Sequence, residues 1–212
     1  REAGQADTAQ VLEAVRTRGA RSLREALQLL RILHFAIWEA GNYHNTLGRF
    51  DQYMYPYYQA DKQAGTLTDE EALHLTKEFF LSCNRDNDLY TGMQLGDNGQ
   101  SLMLGGVDKD GKEVFNDLSR LCLEASLELR LIDPKINLRV DSRTKDEIFC
   151  LGTRLTKQGL GFPQYSNDDV VIPALVEMGY DLEDARDYTV AACWEFIVPG
   201  KGMDIPNIDA LN

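Results

Sequence analysis

Cys193 and Glu195 stand two positions apart in the run Ala191-Ala192-Cys193-Trp194-Glu195-Phe196-Ile197-Val198, which breaks at Pro199-Gly200 into Lys201-Gly202-Met203-Asp204. On an extended backbone, residues i and i+2 point to the same side. That geometry predicts Cys193 and Glu195 facing one cavity, with Trp194 turned toward the packed side. Charge then limits the chemistry. A thiolate nucleophile needs a cationic neighbour, whereas a nearby carboxylate raises the thiol pKa. The three histidines, His34, His44 and His74, are all distant in sequence. A neutral thiol beside a carboxylate suits hydrogen-atom chemistry instead: sulfur loses and regains a hydrogen atom while the glutamate moves a proton at the adjacent carbon or oxygen. The competing reading is structural, because a free cysteine usually behaves as a small buried hydrophobe.

Positioning that pair falls to a chain that alternates helical and extended patterns. Helices are expected at 7–18 and 22–42, the second mostly buried with a narrow polar stripe through Arg24, Gln28 and Arg31. The aromatic segment from Phe50 to Tyr58, around Pro56, is expected to pin a loop by packing. Thr68 and Glu71 form a capping box for a helix to about Ser82. Asn84-Arg85-Asp86-Asn87-Asp88 lacks the glycine and terminal glutamate of a calcium loop. A strand at 100–104 ends at Gly105-Gly106, which no lysine and helix start complete as a phosphate loop. A helix capped by Asn116 or Asp117 buries Cys122 and runs to about Leu129. Further strands are expected at 136–140, 162–165 and 189–198. Between them lie a helix with a Thr144/Glu147 capping box, one from Asp168 through Pro173, and a short one capped by Asp181. The pattern is that of an α/β domain.

Composition sets the outer bounds. The 212 residues are 43% hydrophobic, enough for a real core in one or two domains. With 34 acidic against 22 basic residues, a net charge of −12 excludes a nucleic-acid footprint and predicts no DNA or RNA partner. Cys83, Cys122, Cys150 and Cys193 are far apart, which suggests neither a zinc site nor a disulfide framework and fits a reduced, cytoplasmic setting. His34 and His44 lack the i, i+4 spacing of a helical metal pair. No apolar run reaches the ~18 residues that span a bilayer, so no membrane role is expected. The chain reads as a piece of something larger.

The stretch Asp187-Tyr188-Thr189-Val190-Ala191-Ala192-Cys193-Trp194-Glu195, closing with Val198-Pro199-Gly200-Lys201, resembles the cysteine loop of the glycyl radical enzymes. That family includes pyruvate formate-lyase and related dehydratases and lyases. Three earlier segments match in order: Leu47-Gly48-Arg49-Phe50-Asp51-Gln52-Tyr53-Met54-Tyr55-Pro56-Tyr57-Tyr58, Leu104-Gly105-Gly106-Val107-Asp108-Lys109-Asp110-Gly111 and Gly161-Phe162-Pro163-Gln164-Tyr165-Ser166-Asn167-Asp168. The resemblance implies part of the ten-stranded α/β barrel of that family, with the cysteine loop threaded into its centre. Residues 1–212 would form one piece: a helical and aromatic segment over 1–60, then an α/β part over 61–212 with the loop at 189–204.

In that family a glycyl radical on a C-terminal domain removes a hydrogen atom from the loop cysteine, whose thiyl radical attacks the substrate. Cys193 matches this cysteine, and Glu195 matches the general base of the Cys-x-Glu branch. Pyruvate formate-lyase has two adjacent cysteines, and here Ala192 replaces the first. The resemblance therefore implies radical elimination from a small hydroxylated or amine-bearing substrate, by a dehydratase or a C–N, C–O or C–S lyase. Carbon–carbon cleavage of the formate C-acetyltransferase type is the alternative. Trp194 departs from the small aliphatic residue usual there and is expected to be buried behind the loop, while Ala192 departs from a usual glycine. Gln164 and Tyr165 border the barrel interior, and with Asp204 and Asn207 they are candidate substrate contacts.

The family's radical motif, Arg-Val-x-Gly-Tyr, has no match; Arg139-Val140-Asp141-Ser142 lacks the glycine. The radical domain is therefore expected outside this chain, and the 212 residues alone are expected to be inactive and metal-free. The resemblance further implies a radical-SAM activating enzyme with an iron–sulfur cluster as partner, an anaerobic cytosol, and a homodimer of the full-length enzyme. Two other classes remain: a non-catalytic half-barrel interaction module, and an ionic cysteine hydrolase whose Cys193 would alkylate rapidly near neutral pH.

Overall fold

The computed structural model describes residues 5–39, 45–85 and 99–202. The first part is helical. α1 (Ala6–Thr17) packs on α2 (Leu23–Glu39). α2 buries Leu23, Ala26, Leu27 and His34, but Leu33 (55% exposed) and Ile37 (44%), one turn apart, face outward with Ile32 and Phe35. The expectation of a mostly buried helix is thus corrected. An apolar surface around most of the circumference exceeds what α1, α3 (Phe50–Gln63) and α4 (Asp69–Asn84) cover.

α3 is a second correction, since the aromatic segment is a helix and not a pinned loop. Phe50, Met54 and Tyr58 recur at four-residue steps and are all buried, so core packing along one helical face outweighs Pro56, whose missing N–H removes one backbone bond. Phe50 stacks on Phe79 of α4 with ring centroids 5.4 Å apart. The Thr68/Glu71 box forms as expected: Glu71 N–H donates to Thr68 Oγ1, and the Glu71 carboxylate accepts from Thr68 N–H at 2.8 Å.

The second part is a parallel sheet. β1 (Ser101–Gly105), α5 (Asp117–Leu129), β2 (Lys135–Val140), α6 (Asp146–Thr156) and β3 (Gln164–Asn167) follow one another, and the strands pair in the order β1-β2-β3. Parallel neighbours require crossovers, which α5 and α6 supply. Asn116 caps α5 by accepting from Ser119 N–H. The second expected box does not form. Thr144 Oγ1 accepts instead from Asp141 N–H at 2.8 Å, a turn bond that competes with capping, and α6 starts after Lys145. The chain continues through α7 (Asp168–Glu177), capped by Asn167, and α8 (Leu182–Arg186), which follows Asp181 without a side-chain cap bond.

Side-chain alternation gives the sheet two unlike faces. Leu102, Leu104, Ile136 and Leu138 point into the main core with α3, α4, α5 and α6. Their neighbours Ser101, Asn137 and Arg139 are equally buried but polar, and Met103 belongs to a separate small core with Leu175, Ala185, Tyr188, Val190 and Val198. A buried polar face has to be covered by something that hydrogen-bonds, and that something carries the candidate site.

Candidate active site

The covering element is a hairpin. β4 (Thr189–Ala191) pairs antiparallel with β5 (Glu195–Ile197), Thr189 opposite Ile197 and Ala191 opposite Glu195. The single strand expected over 189–198 is therefore corrected: the chain reverses at 192–194. Ala192 has φ 43°, in the left-handed region, and this turns the backbone before Cys193. Cys193 is an exposed free thiol in the turn, and Glu195 begins the return strand half-buried. The two are neighbours through a tight turn and not through strand alternation. The Glu195 carboxylate accepts from Trp194 N–H at 3.0 Å.

Trp194 is not buried behind the loop; it is 49% exposed. Once Cys193 leaves the strand, the alternation that would have packed Trp194 no longer applies. The indole instead lines an open cleft of ≈360 Å³ with Phe196, Val170 and Val171. A larger cavity of ≈800 Å³, around Asp61, Glu70, His74 and Glu128, lies among the helices and contains no candidate residue.

Four sets of bonds hold the hairpin and its flanks in place, those at the base and near the tip reaching the polar sheet face. At its base, Arg139 reaches Asp168 with two bonds, Nε to Oδ1 at 2.8 Å and Nη2 to Oδ2 at 2.9 Å, both side chains fully buried. Tyr188 closes this unit: its hydroxyl donates to Asp168 at 2.7 Å, its carbonyl accepts from Arg139 Nη1 at 3.2 Å, and the guanidinium lies 4.0 Å over its ring. Burial pushes the Tyr188 phenol pKa far up, which keeps it a donor. Beside it, Arg49 donates to Asp187 at 2.9 Å and to the Val107 carbonyl at 2.9 Å. Near the tip, the Thr46 hydroxyl lies 2.9 Å from both the Ser101 and the Val190 carbonyls, and Ser101 Oγ donates to the Ala192 carbonyl at 2.9 Å. At the exit, Gly202 N–H donates to the Val198 carbonyl at 2.8 Å, and Lys201 pairs with Asp184.

The glycines of Gly105-Gly106 acquire a role here. A Cβ at Gly106 would collide with the Arg139 guanidinium, so glycine at 106 lets the buried arginine pass. Asp51 receives Gly105 N–H at 2.7 Å and Ser119 Oγ at 2.5 Å, and burial raises its carboxyl pKa. Asp51 and Arg49 thereby link α3 to the loop beneath the hairpin.

The other candidates are dispersed. Gln164 is half-buried on the polar face opposite Asn137, and its Oε1, like Asn137 Oδ1, is buried without a hydrogen-bond partner. Tyr165 turns to the helix side, packs on the main core and lies 3.3 Å from Thr156 Oγ1. Asp204 and Asn207 lie outside the described residues, as do His44 and the segment from Asp86. His34 is structural: Arg31 can only donate to its Nδ1, so Nε2 carries the proton and donates to the Asn45 carbonyl at 3.2 Å. Among the described residues no His, Cys, Asp and Glu group could hold a metal ion, and no helix is long and apolar enough to cross a membrane. Sequence reading missed Ser101 and Thr46 altogether, since a lone hydroxyl in an apolar or polar run carries no signal of its partner.

The family described as pyruvate formate lyase-like matches residues 6–212. The (2S)-3-sulfopropanediol dehydratase of Klebsiella oxytoca is 34% identical over 184 residues, 84% of this chain and 22% of that enzyme. The isethionate sulfite-lyase of Bilophila wadsworthia (strain 3_1_6) is 33% identical over 160 residues, 73% of this chain and 19% of the enzyme. The solved structure of the glycerol-bound B12-independent glycerol dehydratase from Clostridium butyricum superimposes with a TM-score of 0.81 at 35% identity, covering 92% of this chain and 25% of that one. The three-stranded sheet and its helices thus form part of a glycyl radical enzyme barrel, and the chain spans about a fifth to a quarter of the relatives it matches. The chain belongs to the pyruvate formate lyase-like family.

Proposed function

We propose that this chain is the cysteine-loop portion of a glycyl radical dehydratase or lyase, in which Cys193 is the hydrogen-atom carrier and Glu195 the general base. The observation that carries the reading is the hairpin turn, which presents a free, exposed thiol two residues before a half-buried carboxylate. Cys193 fits its role because it is in no disulfide. A glycyl radical, housed outside these residues, supplies the hydrogen-atom abstraction that arms the thiol. Cys193 Sγ then takes a hydrogen atom from the substrate carbon that bears the hydroxyl or amine, and later returns it. Glu195 accepts the proton of that heteroatom as the leaving group departs from the neighbouring carbon. Ala192 leaves the loop without a second cysteine to carry an acyl group, which supports elimination over acyl transfer.

The relatives named above act on a sulfopropanediol, isethionate and glycerol, and small two- or three-carbon hydroxylated compounds are the substrate class proposed here. A radical-SAM activating enzyme, a homodimeric full-length protein and a cytoplasmic, anaerobic setting belong to the same proposal. In the activated full-length protein, assayed with these three compounds, Cys193→Ser abolishes turnover. Glu195→Gln lowers kcat by about 10²-fold or more while the radical signal in electron paramagnetic resonance persists. Turnover by the Cys193→Ser variant would sink the reading.

A further inference from the structure

The turn that presents Cys193 is held in a conformation its own sequence does not favour. Ala192 sits at φ 43°, where the clash between Cβ and backbone disfavours an L-residue. Nothing in Ala191-Ala192-Cys193-Trp194 is a turn former, and β4 and β5 are three residues each, too short to impose a turn alone. The base bonds of Arg139, Asp168 and Tyr188 end at residue 188, and Thr46 acts at residue 190. Two described side-chain bonds reach the reversal: the Glu195 carboxylate, within the hairpin, accepts from Trp194 N–H at 3.0 Å, and Ser101 Oγ, from β1, donates to the Ala192 carbonyl at 2.9 Å. Ser101 is fully buried in β1, in register with Lys135, so it is a rigid anchor. A buried hydroxyl bond is of the same size as the left-handed penalty, so its presence weighs on which conformation residue 192 adopts.

We propose that Ser101 is the positioning residue for Cys193: its hydroxyl, by holding the Ala192 carbonyl, keeps residue 192 left-handed and aims the thiol. Ser101 touches no reacting atom; it acts through the peptide that precedes the cysteine. The inference rests on the proposed role of Cys193 and also explains how an alanine serves at a position where the backbone favours glycine.

The test uses the full-length protein and needs no substrate. In D2O the Cys193 thiol is S–D. Deuterium passes to the glycyl carbon as the hydrogen atom moves, protium returns to sulfur, and the paramagnetic doublet from the glycyl Cα–H collapses to a singlet. Ser101→Ala slows this collapse by about tenfold to a hundredfold, the effect of a small misplacement of a reacting group. Its crystal structure shows residue 192 at negative φ. Because glycine adopts positive φ freely, adding Ala192→Gly to Ser101→Ala restores most of the lost rate. Collapse at the parent rate in Ser101→Ala, or no recovery in the double variant, overturns the inference. Cys193→Ser separates the two levels: exchange that persists there removes the role of Cys193 itself, whereas absent exchange there with normal exchange in Ser101→Ala removes only the role of Ser101.

Discussion

At the scale of single residues, burial decides what a titratable group contributes. Burial lowers the His34 pKa from the ordinary 6.5 to about 4; the bond to the Asn45 carbonyl works against this and the nearby Arg31 charge adds to it. The unfolded chain therefore takes up a proton that the folded chain refuses anywhere between those values. Stability is complete above about pH 6.5 and is lost as pH falls toward 4, by roughly 3 kcal/mol at the bottom of that window. His34→Leu costs stability at pH 7, because it removes the bonds the ring makes to Arg31 and the Asn45 carbonyl, but it flattens the slope between pH 6.5 and 4. Urea midpoints of the full-length protein and the variant across that range measure the difference, and parallel pH slopes would contradict it. That His34 is structural was legible in its spacing from His44; its depressed pKa was not, because burial is a tertiary fact. Trp194 shows the converse. Its exposure was misread because period-2 alternation was carried one residue past the end of β4, into a turn with no Gly, Asn, Asp or Pro to announce it.

At the scale of elements, a buried ion pair joins β2 to the start of α7, and Tyr188, just before the hairpin, bonds to both partners. Such a pair adds little net stability over an apolar substitute, but removing one partner strands the other charge. Asp168→Asn leaves the Arg139 guanidinium in a fully buried site and costs about 3–5 kcal/mol. Tyr188→Phe removes one hydroxyl bond to the same carboxylate and costs about 1 kcal/mol. Denaturant unfolding of the full-length protein checks the order, and a loss below that of Tyr188→Phe for Asp168→Asn would refute it. The elements of this unit were legible as strands and helices: β1, β2 and β3 fall within one or two residues of their expected places, since apolar runs bounded by Asp-Pro and Gly-Gly mark them well. What joined them was not. Arg139, Gly106, Asp168 and Tyr188 are spread over 83 positions, and only the parallel register brings them together.

At the scale of the whole molecule, the described chain leaves surfaces that a complete barrel would cover. β3 is the last strand of its sheet among the described residues, so its outer backbone groups are a template for another strand. Leu33 and Ile37 on α2 present an apolar ridge, and Trp194 with Phe196 presents another beside the cysteine turn. Exposed ridges and an open strand edge each favour association in water. They also fit a chain that spans about a quarter of a solved relative's length. Expressed alone, residues 1–212 therefore associate with rising concentration. Gel filtration with in-line light scattering shows a mass that climbs above 23.9 kDa as concentration increases. Leu33→Glu together with Ile37→Lys lowers that mass. A sharp monomer peak at every concentration would show instead that these residues close on themselves and that the ridges have no partner to find.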